Sequence, residues 1–175
     1  MFEKIRKMKN QKGFTLVELI VVLVILAILA ALLVPALTGY IDKANKEKVI
    51  ATTRMVVMAA QTEASEKYGL KADGKLSTGI DLSMTKADSG DDVTCSPAVS
   101  ATVKVAGEMD GINITTIAKL AEVYNGSKFV NGVTAITVKV DPKGHVTNVT
   151  VTQSGFTCTY DADAEGDKYT VPDKA

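Results

Sequence analysis

The distribution of apolar residues divides the chain into a continuous hydrophobic stretch and a patterned remainder. From Phe14 to Val34 there are 21 residues with a single charge, Glu18. As a helix rising about 1.5 Å per residue, this run covers roughly 30 Å, the thickness of a bilayer's hydrocarbon core, so it is long enough to span a membrane. Pro35 follows at once. It has no amide hydrogen and crowds the carbonyl of Ala31, which predicts a helix kink at the outer face of the membrane.

Beyond Gly39 helical periodicity resumes and predicts an amphipathic helix over 40–68, stopped by Gly69. Counted from Phe14, the helical segment is about 80 Å long at the usual rise. Ile41, Ala44, Ala51, Met55, Met58 and Ala59 fall on one broad face at 100° per residue and are expected to meet a sheet, with Lys43, Lys46, Glu47 and Arg54 mostly opposite. Ile50 and Val57 form a second narrow strip, read either as ordinary exposed hydrophobes or as contacts to neighbouring subunits.

Residues 69–99 are rich in Gly, Ser, Asp and Lys and are expected to be a surface loop. An antiparallel sheet region is expected over 100–175. SATVKVAG reads as a short strand, and Thr115–Tyr124 as a short helix with Ile117, Leu120, Ala121 and Tyr124 at helical spacing. VTAITVKV and HVTNVTVT alternate with period two around Asp141-Pro142-Lys143-Gly144, predicting an antiparallel hairpin on a type I turn. SGFTCTY and KYTV add candidate strands, for a sheet of three to five. The fold class is α+β: a long N-terminal helix, first transmembrane and then amphipathic, packed on a small antiparallel sheet.

Placing a carboxylate five residues into an apolar run requires an explanation, because an ionised acid in hydrocarbon costs about 2.5 kcal/mol or more. The residues around it, Lys12-Gly13-Phe14-Thr15-Leu16-Val17-Glu18, resemble the processing motif of type IV prepilins and type II secretion pseudopilins. That resemblance implies three domains: a basic leader over 1–13, a transmembrane and polymerisation helix over 14–38, and a soluble head over 39–175. It also implies cleavage by a prepilin peptidase between Gly13 and Phe14, N-methylation of the new Phe14 amine, and pairing of Glu18 with the N-terminus of a neighbouring subunit during assembly. In such proteins helix can melt between the proline and an upstream glycine. Here the upstream position is Ala27, in strongly helix-forming sequence.

Charge fits this reading. Residues 1–12 hold five cations, Lys4, Arg6, Lys7, Lys9 and Lys12, against Glu3, and by the positive-inside rule they keep the N-terminus cytoplasmic and send the C-terminus outward. A conventional secretory signal has a shorter apolar core followed by its cleavage site, whereas here the implied cut precedes the core. The whole chain is formally neutral; without the leader 15 basic and 19 acidic side chains remain. That balance gives no basic patch for direct binding of nucleic acid.

Cys95 and Cys158, 63 positions apart, are compatible with one disulfide in an oxidising compartment, which would restrict the unfolded chain by about 4 kcal/mol, or with two independent buried thiols. Asp161, Asp163, Glu165 and Asp167, with Gly166 sixth, begin like a calcium loop. Pro172 stands where the bidentate glutamate belongs, so the alternative is an acidic hairpin loop. No other cofactor is indicated. His145 is the only histidine, and no nucleophile, base or metal cluster emerges, so no enzymatic activity is expected.

The reading is therefore a structural subunit of a type IV pilus-like filament serving adhesion, motility or a surface fibre. Its partners would be further copies of itself, a prepilin peptidase, an assembly platform and its ATPase, and the membrane before assembly. A pseudopilin of a secretion or DNA-uptake machine is the alternative within this class. An uncleaved, single-pass anchored binding module is the alternative outside it.

Overall fold

The computed structural model describes residues 13–70, 80–87, 90, 92–96, 108–109 and 111–172. The chain separates into two compact units, Met1–Asp42 and Lys43–Ala175. Helix α1, Leu16–Gly69, is assigned without interruption and has Pro35 inside it. The head adds strands β1 (Ile80–Lys86), β2 (Val93–Ser96), β3 (Glu108–Met109) and β4 (Ile112–Asn113), helix α2 (Ile114–Leu120), then β5 (Val133–Val140), β6 (Val146–Gln153), β7 (Phe156–Asp161) and β8 (Tyr169–Thr170).

Six strands form one antiparallel sheet in the order β2-β1-β5-β6-β7-β8, and β3 pairs with β4 separately. Alternation decides its two faces. Leu82, Val138, Val149 and Tyr160 align across β1, β5, β6 and β7, as do Met84, Ile136, Val151 and Cys158 in the next inward row. All but the half-buried Tyr160 are buried. The intervening row, Ser83, Thr137, Thr150 and Thr159, is polar and gives β-branched residues a half-solvated surface they suit.

Two expectations are corrected here. The region 69–99 is not only a loop, because it supplies β1 and β2 and raises the sheet to six strands. Ile80, Leu82 and Met84 alternate with Asp81, Ser83 and Thr85, a period-two pattern inside an otherwise polar segment. The inward face of α1 is also different. Val49, Thr52, Thr53, Val56, Ala59, Ala60, Glu63 and Ala64 are buried, whereas Ile41, Ala44, Ala51, Met55 and Met58 are exposed. Ile50 and Val57, expected at the surface, pack half-buried against the core. Thr53 donates its hydroxyl to the Val49 carbonyl at 2.7 Å, which leaves its methyl to pack, and the single Thr52 hydroxyl proton has two acceptors within reach, the Lys48 carbonyl and Gln153 Oε1, so both threonines are satisfied where they are buried. Small residues at 59, 60 and 64 then let the sheet come close.

Helix α2 ends at Leu120, four residues before the expected Tyr124. Its N-cap is Asn113, whose Oδ1 accepts from the Thr115 amide at 2.8 Å. Its last turn closes in a Schellman arrangement, with the Val123 amide donating to the Ala118 carbonyl at 3.0 Å and Glu122 at φ 56°. The strand expected at SATVKVAG lies outside the described residues.

Polar clamps tie α1 to the sheet. The Gln61 Nε2 donates to the Gly144 carbonyl at 2.9 Å and its Oε1 accepts from the Val146 amide at 3.0 Å, holding the β5–β6 turn. Further along, Thr52 donates to Gln153 Oε1 at 2.9 Å, and Gln153 Nε2 donates to the Asn131 carbonyl at 2.9 Å. Gly144 sits at φ +80°, and a Cβ there would lie 3.0 Å from the Tyr68 side chain, so the turn needs glycine for both conformation and space.

The turn carries its own electrostatics. Burial acts to raise the Asp141 pKa, but bonds from the His145 amide and ring and from the Lys143 amide outweigh it, so the carboxyl titrates below its ordinary value. A depressed carboxylate stabilises the fold above its unfolded pKa of about 3.9, and this is lost as pH falls through the folded value. Asp141→Asn, which keeps an acceptor but removes the charge, is therefore expected to lower stability at pH 7, with the deficit shrinking towards zero in the acid limb of a pH series of thermal melts. Gln61→Ala strips partners from two backbone groups and is expected to destabilise the fold by about 1–3 kcal/mol in denaturant titration.

Candidate functional site

The candidate site begins where α1 begins. Gly13, Phe14 and Thr15 precede the helix and are exposed, Phe14 at 87%. Thr15 is the N-cap. Its backbone amide and its hydroxyl both donate to Glu18 Oε2 at 2.8 Å, and the Glu18 amide donates back to Thr15 Oγ1 at 3.2 Å. This is a capping box, the reciprocal arrangement of a Thr-x-x-Glu sequence. Glu18 therefore answers two problems within its own chain. It accepts a donor from the backbone at the helix start, and its charge lies near the positive end of the helix dipole.

From Glu18 to Pro35 every residue of the helix is exposed. The sixteen large apolar side chains from Phe14 to Val34 stand between 49% and 87% exposed. The best 18-residue window of the helix has a mean hydropathy of 3.3 and is 0% buried, which meets the length and composition for crossing a membrane. Burying one such side chain is worth about 1.5–3 kcal/mol, so leaving sixteen in water would forfeit tens of kcal/mol, more than the 5–15 kcal/mol that holds a typical domain together. Lipid or other protein has to cover this surface. At Pro35 the chain offers no amide to Ala31, and the Thr38 hydroxyl donates to the Pro35 carbonyl at 2.9 Å.

The structure does not bring the two cysteines together. Cys95 on β2 aligns with Met84, and Met84 is in register through Ile136 and Val151 with Cys158 on β7. Three strands separate them. At about 4.8 Å per strand the separation is about 19 Å, whereas a disulfide needs Cα atoms within about 7 Å. Both thiols are free, and burial pushes both pKa values up, which makes them poor nucleophiles at neutral pH.

Asp161 ends β7, and Asp163, Glu165 and Asp167 lie in the loop between β7 and β8. One Asp161 carboxylate oxygen is engaged by the Asp163 amide at 3.0 Å. Among the described residues no three His, Cys, Asp or Glu side chains converge as a metal site. His145 is exposed and faces Asp141 at 3.3 Å. Sequence reasoning missed the capping box, although Thr-x-x-Glu ahead of an apolar run is a readable signal.

Comparison with protein families finds a local match at the N-terminal end. Residues 8–34 match the model of the prokaryotic N-terminal methylation motif, the signature of type IV pilins and pseudopilins. The fold carrying it, a long N-terminal helix followed by a six-stranded antiparallel sheet, is a pilin-like α+β arrangement. Comparison with curated proteins and with solved structures returned no match.

Thr15→Ala removes the cap and both donors to Glu18. With a cap worth about 1 kcal/mol, amide exchange at Leu16, Val17 and Glu18 of the micelle-bound chain is expected to accelerate about fivefold, read by NMR or mass spectrometry.

Proposed function

We propose that this chain is a structural subunit of a type IV pilus-like filament, made as a membrane-anchored precursor, cut between Gly13 and Phe14, methylated on the new amine of Phe14, and polymerised through α1. The observation that carries the proposal is the methylation motif at the head of a helix whose large apolar side chains from Phe14 to Val34 stand exposed. In a bilayer lipid covers that surface. Leaving the bilayer requires other copies to cover it, so membrane residence and filament assembly are two solutions to one problem.

The leader's cations orient the precursor with its head outside the cytoplasmic membrane. A prepilin peptidase then reaches a Gly13–Phe14 bond that lies ahead of the helix and is exposed. During extraction by an assembly platform and its ATPase, Glu18 exchanges its bonds to Thr15 for the charged N-terminus of a neighbour. In low dielectric an opposite charge attracts far more strongly than a neutral donor, so the exchange favours the correct axial register. A pseudopilin of a secretion or DNA-uptake machine carries the same motif and would assemble in the same way. Long native surface fibres mark a pilus, and short stubs seen only on overexpression mark a pseudopilin.

Two measurements test the proposal. Mass spectrometry of the chain isolated from its native cells is expected to find a methylated Phe14 as the first residue. Glu18→Ala is expected to be cut normally yet to reduce filament yield at least about tenfold, consistent with loss of a charge pair in low dielectric. An intact Met1 would favour an anchored binding module, and wild-type yield would remove the pairing role from Glu18.

A further inference from the structure

The head contains two Asn-Gly pairs, Asn125-Gly126 and Asn131-Gly132, and the fold treats them in opposite ways. An asparagine followed by glycine carries a reaction in its own atoms. The glycine nitrogen can attack the side-chain amide carbon, because no Cβ on the following residue obstructs the approach. What the fold does to that reaction depends on which carbonyl it holds, side chain or backbone.

At Asn125 the side chain is held. Residues 125–128 form an exposed loop closed by the Tyr124–Phe129 bridge, by those two rings packed edge to face at 6.1 Å between centroids, and by the Asn125 amide donating to the Lys128 carbonyl at 3.2 Å. Within the loop, Asn125 Oδ1 accepts from the Ser127 amide at 3.0 Å and from the Lys128 amide at 2.9 Å. These bonds turn the side chain forward along the chain, the direction in which the Gly126 nitrogen lies. They also aim two N–H dipoles at the oxygen that becomes negative when that nitrogen adds to Cγ, which is the arrangement of an oxyanion hole. Gly126 is exposed, and among the described residues its amide donates to nothing. The Lys119 side chain passes over it, with Cε 3.7 Å from where a Cβ on Gly126 would stand, which keeps an ammonium group close to the developing charge.

At Asn131 the backbone is held instead. Its carbonyl accepts from Lys48 Nζ at 3.1 Å and from Gln153 Nε2 at 2.9 Å, and the Gly132 carbonyl accepts from the Ser154 amide at 2.9 Å. Asn131 sits at φ 58°. Cyclisation there has to rotate a peptide that α1 and β6 both grip, with no oxyanion donors in return.

We infer that Asn125 is a self-modification site, a turn that promotes its own deamidation, and that the fold protects Asn131 from the same reaction. A bond forms between the Gly126 nitrogen and Asn125 Cγ, the Cγ–Nδ2 bond breaks, and Nδ2 leaves as ammonia with the proton given up by the Gly126 amide. Water then opens the cyclic imide at either carbonyl, which leaves aspartate or isoaspartate at position 125. The aspartate product suits its site. Its carboxylate accepts from the same two amides more strongly than the amide oxygen it replaces, so the turn survives the reaction. Isoaspartate at position 131 would instead insert a methylene into the main chain beside the carbonyl that Lys48 and Gln153 hold. Because water is the only reactant, the share of modified heads rises with the age of the protein, and each event adds one negative charge. None of this depends on the filament reading.

The test follows the full chain in detergent micelles at neutral pH, with trypsin releasing residues 120–128 and 129–139 so that mass spectrometry reads the two sites separately. An oxyanion donor in an enzyme is worth about a hundredfold or more in rate, and in this exposed loop the pair is expected to make Asn125 deamidate at least about tenfold faster than Asn131. Asn125 is also expected to react faster in the folded chain than with the head unfolded in guanidinium. Ser127→Pro, which deletes one of the two donors, is expected to slow Asn125 about tenfold in the folded chain, with the Asn131 rate and both rates in guanidinium unchanged. Equal rates at the two sites of the folded chain, a folded Asn125 rate below its rate in guanidinium, or a Ser127→Pro rate equal to wild type would overturn the assignment.

Discussion

The structure depends on one unmet demand: sixteen large apolar side chains on α1, from Phe14 to Val34, that stand exposed. Left in water, that surface would forgo tens of kcal/mol of burial. It is tolerable in lipid, where the driving force for helix association is weak, and it is tolerable among copies of itself. The head is built so as not to interfere. Its sheet packs on the C-terminal part of α1 over small residues and Thr53, whose hydroxyl is bonded within the helix, and Gln61 and the Thr52–Gln153 pair lock that contact.

Glu18 is the one charge in the apolar run, and the capping box shows how the start of α1 carries it. A carboxylate bound by Thr15 is a helix start, and on the proposed filament reading the same carboxylate released from Thr15 would be a partner for a cation, so that one residue would distinguish the waiting subunit from the assembled one. Neutral donors hold it strongly enough to keep the helix capped and weakly enough to be replaced by an opposite charge.

Much of this was legible in the sequence, and the failures have physical causes. The apolar run, the resemblance at Lys12–Glu18 and the β5–β6 hairpin rest on strong local signals: length, a specific motif, and strict alternation around a turn. The sequence was misread where contrast is low. In the second half of α1, the threonines find hydroxyl partners where they are buried, Thr53 in the Val49 carbonyl and Thr52 in the Lys48 carbonyl or Gln153, so the true inward face runs through Thr52, Thr53 and Val56, while Met55 and Met58 are left outside. In β1, three apolar residues alternate within a stretch whose polar composition resembles a loop. The cysteine pairing could not be settled by counting residues, because it depends on strand order: β1 lies between β2 and β5, and that places three strands between Cys95 and Cys158. Asn113 serves as a helix cap, and Asn125 Oδ1 accepts from the amides of Ser127 and Lys128.

Electron cryomicroscopy of fibres sheared from native cells tests most directly whether copies of the chain cover this surface. The account predicts an axial bundle built from the Leu16–Val34 segments of many copies, with the sheets on the outside and no lipid between the helices. Fibres held together head to head, with those segments absent from the core or still in membrane, would contradict it.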